Sequence, residues 1–167
     1  MGEVKKEKAH PLLYVIVGLA VINLAATGVL AIKLLRQPPN SISQEQPLPD
    51  ILDGEIRNSI YKRFSLLFND SNYEGVFDIL HPLARVSLEK DVAIESLSAM
   101  HQSFGSVGDG VYSHYDYKGT DSGRKLYSLY FKTRLSGGSL NMNSGTVIIH
   151  LFSNGVHYGI TGVQMGE

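Results

Sequence analysis

The hydrophobic pattern changes character twice along the chain. From Leu12 to Ile32, LLYVIVGLAVINLAATGVLAI is apolar on every face, with no charged residue and only Asn23 and Thr27 as clearly polar side chains. Such a run of 21 residues at about 1.5 Å each spans roughly 31 Å, the thickness of a bilayer core, so residues 12–35 are expected to form a transmembrane helix. Further on the pattern becomes helical and one-sided. Ile56, Ile60, Phe64 and Leu67 recur near a 3.6-residue period and predict an amphipathic helix from about Ile51 to Phe68. Asn69-Asp70-Ser71-Asn72 breaks it. A second helix, Tyr73 to His81, sets Val76, Phe77 and Leu80 opposite Glu74, Asp78 and His81, and Pro82 is expected to stop it. A third, capped at Ser87, runs to about Phe104 with Ile94, Leu97, His101 and Phe104 as its inner stripe.

After Gly105, Gly108 and Gly110 the pattern turns to strands. Val111 to Lys118, Leu126 to Leu135, Thr146 to Phe152 and Val156 to Gln164 are rich in Val, Ile, Tyr and Thr, with turn clusters between them. Short connections predict an antiparallel meander, and helices followed by strands predict an α+β fold. The expected domain is therefore three helices packed on a curved four-stranded antiparallel sheet. Asn154-Gly155 reads as a two-residue hairpin turn that places Phe152 opposite His157 and His150 opposite Gly159. In that register Val147, Ile149, Leu151, Tyr158 and Ile160 meet the helices. Thr146, Ile148, His150, Phe152, His157, Thr161 and Val163 face away.

Residues 1–11 form a short tail with Lys5, Lys6 and Lys8, and Lys33 and Arg36 close the apolar run. A cleaved signal peptide would have an apolar core of about 7 to 15 residues, shorter than this one, so an uncleaved anchor is expected. The slight excess of positive charge before the run puts the tail in the cytoplasm and the domain outside. Ala20, Asn23, Thr27 and Ala31 share one face and suit helix packing within a membrane. Residues 36–50, RQPPNSISQEQPLPD, hold four of the six prolines and read as an extended spacer. From Ile51 onward, ten basic residues stand against twelve acidic ones, so no basic field exists for a nucleic acid. Cysteine is absent, which excludes disulfides, thiolate nucleophiles, Cys-based metal sites and the lipid-modified Cys of a lipoprotein.

The stretches FNDSNYEGVFDILHP and VYSHYDYKGTDSGRKLYSLYFKTRL resemble the nuclear-transport-factor-2-like superfamily, in which about three helices and a curved sheet form a cone. The resemblance covers Ile56 to Met165 and implies a cone domain over residues 51–167. The superfamily includes isomerases and dehydratases that place an Asp or His inside the cone, and many domains that only bind. One anchor, one linker and such a domain also resemble the scaffold subunits of type IV secretion systems.

Candidate chemistry is sparse. His114 and Asp116 are the weak catalytic candidates: with Tyr112 they share one face of a strand, and that face would have to point inward to form an acid–base pair. Asp78 and His81 read as a solvated helix face. His150 and His157 share a sheet face without a third ligand, so no metal site is expected, and GTDSG and SGGS lack the context of a phosphate loop. No cofactor is implied. The expected partner surface is the outer sheet face, with Tyr130, Ile148, His150, Phe152 and His157. The sequence thus points to a single-pass, membrane-anchored extracytoplasmic binding or scaffold module, not an enzyme, that docks a protein partner or a second copy. The alternative is a small apolar ligand carried inside the cone.

Overall fold

Asp53 starts the first long helix: its carboxylate accepts the Ile56 amide at 2.8 Å, satisfying one of the donors that a helix N-terminus leaves open. In this computed structural model, which describes residues 46–166, helix α1 spans Gly54–Asn69. The apolar stretch 12–35, its packing face Ala20, Asn23, Thr27 and Ala31, and most of the spacer lie outside the described residues. Among the described residues no helix is long and apolar enough to cross a membrane. A 3-10 turn at Asp50–Leu52 precedes α1 and buries Leu52 completely. Ile60, Tyr61, Phe64 and Phe68 form the buried stripe of α1, while Ile56 and Leu67 sit half-buried beside it.

Helix α2 (Tyr73–Asp78) is capped by the Asn72 side chain, which accepts the Gly75 amide at 2.9 Å. Pro82 does not end the helical region. It opens a further short helix, α3 (Pro82–Val86), at the position where a missing N–H costs nothing. Ser87 correspondingly closes α3 instead of capping the next helix: its hydroxyl donates to the Leu83 carbonyl at 2.9 Å. Helix α4 (Lys90–Phe104) buries Leu97, Met100 and Phe104. It stops at Gly105, where φ is +75° and a Cβ would stand 2.0 Å from the Ser136 carbonyl oxygen. Only glycine permits that approach.

Five strands complete the domain, not four: β1 (Gly105–Val107), β2 (Val111–Asp121), β3 (Arg124–Gly137), β4 (Ser144–Ser153) and β5 (Tyr158–Gly166). All pair antiparallel in one curled sheet. Strands β1 and β2 share one edge of β3, β1 against Leu135–Gly137 and β2 against Arg124–Lys132. The architecture is α+β, with four helices and one curled antiparallel sheet. Its inner face presents Tyr127, Leu129 and Phe131 from β3, Val147, Ile149 and Leu151 from β4, and Ile160, Val163 and Met165 from β5.

The last hairpin departs from its expected register. Asn154 uses its side chain, whose Oδ1 accepts the amides of Val156 at 3.0 Å and His157 at 2.7 Å, so the loop holds four residues. Ser153 therefore pairs with Tyr158 and Phe152 with Gly159. A bulge then leaves Thr161 unpaired opposite the His150–Leu151 step, which turns Val163 into the core instead of outward.

Polar side chains fasten helices to sheet. The Asn69 amide donates to the Val107 carbonyl at 2.8 Å and accepts the Val107 amide at 2.9 Å, pairing with β1 as another strand would. The Tyr61 hydroxyl donates to the Gly108 carbonyl at 2.7 Å and lies 2.9 Å from Thr133 Oγ1. The spacer also reaches the domain. Tyr115 and Tyr127 hydroxyls donate to the Gln46 and Pro47 carbonyls, each at 3.3 Å, and Lys125 Nζ donates to Gln46 Oε1 at 2.8 Å. Residues 46–49 thus lie across the inner face at the end of the sheet where the β2–β3 turn and the β4–β5 loop are found.

Asn69→Ala leaves both Val107 backbone groups without their partners and is expected to cost about 2 to 3 kcal/mol, in the range for orphaned part-buried polar groups. Denaturant unfolding of the variant beside Asn58→Ala, an exposed position on the same helix, checks this. The control is expected to change stability by less than about 0.5 kcal/mol.

Candidate functional site on the outer sheet face

Strand alternation alone would carry Tyr112, His114 and Asp116 to the same face. A bulge at Ser113 separates them. Tyr112 pairs with Phe131 and points inward, its ring 5.8 Å from that of Phe131. His114 and Asp116 pair with Tyr130 and Ser128 on the outer face. The acid–base pair inside the cone, which His114 and Asp116 were to supply, does not form. Leu129, Phe131, Val147 and Ile149 occupy the inner face there, all with no exposed surface.

On the outer face the two residues join a polar cluster. Asp116 Oδ2 accepts from Lys118 Nζ and from the Tyr130 hydroxyl, both at 2.8 Å. The hydrogen bond from Lys118 and that from Tyr130 hold the Asp116 carboxyl below its ordinary range against the opposing effect of burial, and the Lys118 and His114 charges add to the lowering. Burial raises the Tyr130 phenol. The His114 ring stacks on Tyr130 with centroids 4.2 Å apart and planes 9° from parallel. One register step along, the hydroxyl of fully buried Ser128 lies 2.9 Å from His150 Nδ1. Burial lowers the His150 pKa, a hydrogen bond with Gln164 opposes this, and the Lys118 charge adds to the lowering. Burial between β3 and β5 thus favours the neutral form of the His150 imidazole.

Of the expected partner surface, Tyr130, Ile148 and His150 lie together on this face, since Tyr130 pairs with Ile148 and Ser128 with His150. Phe152 shares the face but is covered, at 8% exposure. The His81 ring stands edge-on to it at 4.7 Å and the Arg124 guanidinium lies 5.0 Å from its centroid. Gly159 makes room for this lid, since a Cβ there would meet both His81 and Phe152 within 2.9 Å. His157 is not on the face; it sits exposed in the β4–β5 loop. The two histidines therefore do not pair, and among the described residues no three His, Asp or Glu side chains converge as metal ligands.

Sequence reasoning passed over Ser128, Lys118 and Gln164. The signal for Ser128 was present: a lone hydroxyl between Tyr127 and Leu129 at the centre of a strand marks an outward position with a polar partner. Lys118 lies two residues from Asp116, on the same face by plain alternation, and a second bulge falls at Lys118 itself, beside Gly119, whose φ is +115°. No protein-family model matches the chain, and no curated protein matches it.

Two measurements check these electrostatics. The unfolded chain protonates His150 near pH 6.5, whereas the folded chain resists until lower pH; between those values the unfolded state binds more protons, so stability is lost as pH falls through about 6.5. Half-buried His101, lowered by burial, acts in the same direction. The melting temperature is expected to drop between pH 7 and pH 5, and His150→Gln is expected to flatten that slope. Separately, Tyr130→Phe removes a donor to Asp116 and is expected to raise the Asp116 pKa, read from the carboxyl carbon shift in an NMR titration.

Proposed function

We propose that the chain is a membrane-anchored binding or scaffold module whose outer sheet face, centred on Tyr130, Ile148 and His114, docks a protein partner or a second copy. The observation that carries this reading is the division of the sheet. Its inner face is filled by the domain's own side chains, from Leu129 to Ile149, and the polar cluster of His114, Asp116, Lys118 and Tyr130 stands on the other side. The stacked His114 and Tyr130 rings form a flat platform beside half-buried Ile148, an arrangement of aromatic and aliphatic surface that suits the centre of a protein interface. Helices first and a curled antiparallel sheet after support the resemblance to nuclear-transport-factor-2-like cones. The apolar run Leu12–Ile32 supports the anchor.

The test is self-association of the full chain in detergent, measured by light scattering across a concentration series. Ile148→Asp is expected to weaken association at least about tenfold, the equivalent of about 1.4 kcal/mol. Leu140→Asp, in the β3–β4 loop, is expected to leave it unchanged. Association that Ile148→Asp does not alter would overturn the sheet face as the docking surface, and a monomeric wild type would remove the second copy as its occupant.

A further inference from the structure

The end of the sheet at which the spacer enters carries an unusual surface. Val156 in the β4–β5 loop is 68% exposed, and Leu83 and Val86 on α3 are 54% and 87% exposed. Helix α3 belongs to this same end. His81, its N-cap, donates its amide to the Ile160 carbonyl at 2.7 Å, and its ring covers Phe152 and Gly159, next to the loop. Isolated exposed aliphatic residues are ordinary, but these share one end with the point where the chain outside the described residues begins.

We propose that this end, through Val156, Leu83 and Val86, rests on the surface of the bilayer from which the chain hangs. The inference rests on the membrane anchor proposed above, and the length of the leash selects the occupant. Gln46 is held at this end by Tyr115 and Lys125, so only residues 36–45 separate the proposed membrane helix, residues 12–35, from the domain. Those ten residues reach at most about 31 Å when fully extended as polyproline, and about 17 Å on average as a coil. The 14 residues of β3 put the opposite end of the sheet about 46 Å further away. Tethering so short keeps the lipid surface at high effective concentration for this end and denies it to the other.

The charges nearby decide which lipid is needed. Arg85 is paired with Asp78 at 3.3 Å and Lys118 with Asp116 at 2.8 Å, which leaves Arg124 and Lys125 against Asp121 on the turn. Two cations against one carboxylate leave a single net positive charge there, which gives little attraction to an anionic surface. The contact is apolar and interfacial, with aliphatic side chains at the headgroup boundary, and neutral phosphatidylcholine suffices.

The chain has no native cysteine, so single probes can be placed cleanly. Full-length Val156→Cys, Leu140→Cys and Ala20→Cys proteins, each carrying an environment-sensitive fluorophore, are reconstituted in phosphatidylcholine vesicles containing nitroxide-labelled lipid. Ala20 is expected to lose fluorescence to an acyl-chain nitroxide and Val156 to a headgroup nitroxide, while Leu140, at the far end, keeps its signal. Adding Leu83→Asp and Val86→Asp to the Val156→Cys protein is expected to abolish its quenching. Quenching at Ala20 without quenching at Val156 overturns the docked surface and leaves the anchor standing. No quenching at Ala20 overturns the anchor, and the docked surface with it. Equal quenching at Val156 and Leu140, or quenching at Val156 that survives the two Asp substitutions, also overturns the proposal.

Discussion

A strand at the edge of a sheet exposes amide and carbonyl groups that need partners, and β1 is only three residues long. It persists because Asn69, the last residue of α1, offers both halves of its side-chain amide to Val107. One residue further, the Gly108 carbonyl accepts from both Tyr61 and Thr133. These bonds fix α1 across the sheet, and the other helices take their places from it. The Phe68 ring packs against His101 of α4, whose Nδ1 lies 2.8 Å from the hydroxyl of Tyr73 at the start of α2. Aliphatic packing is non-directional and tolerates sliding; a two-bond amide clamp does not.

The two ends of the curled sheet are closed differently. At the Asn69 end, α4 turns directly into β1 through Gly105, and the polypeptide itself closes the gap. At the other end no connection of that kind exists, and residues 46–52 fill it, with Leu52 buried and Leu48 and Ile51 packed against the core. The inner face is sealed by chain from outside the helices and sheet.

Periodicity made the longer helices α1 and α4 and the strands β3 and β4 legible, because each of these buries one continuous face. What it missed has local causes. Three residues, Gly105–Val107, are too few to show alternation, so β1 was invisible. Pro82 reads equally as a stop or as a first helical residue, and His81, whose ring nitrogen accepts the Leu83 amide, decides the matter. Alternation also assumes an unbroken register. The bulge at Ser113 sends Tyr112 inward and His114 outward although they are two residues apart, and the one at Thr161 brings Val163 inside. The outer-face cluster was legible in Tyr130, Ile148 and His150, whose strands run in register there, and illegible in Phe152, which tertiary contacts from His81 and Arg124 cover.

Gln46 and Pro47 are the first described residues, and they are held by three side chains of β2 and β3 before the chain reaches its first helix. A pull on the N-terminal segment, whatever holds its far end, is therefore borne first by these three bonds and not by the cap of α1. Each contributes about 1 kcal/mol, so they yield before the strand ladder does. Their release frees Gln46 and Pro47 as slack and leaves Leu48 packed on the core and Asp53 capping α1 as before. The attachment behaves as a mechanical fuse: it absorbs tension by lengthening and spares the folded core beyond it.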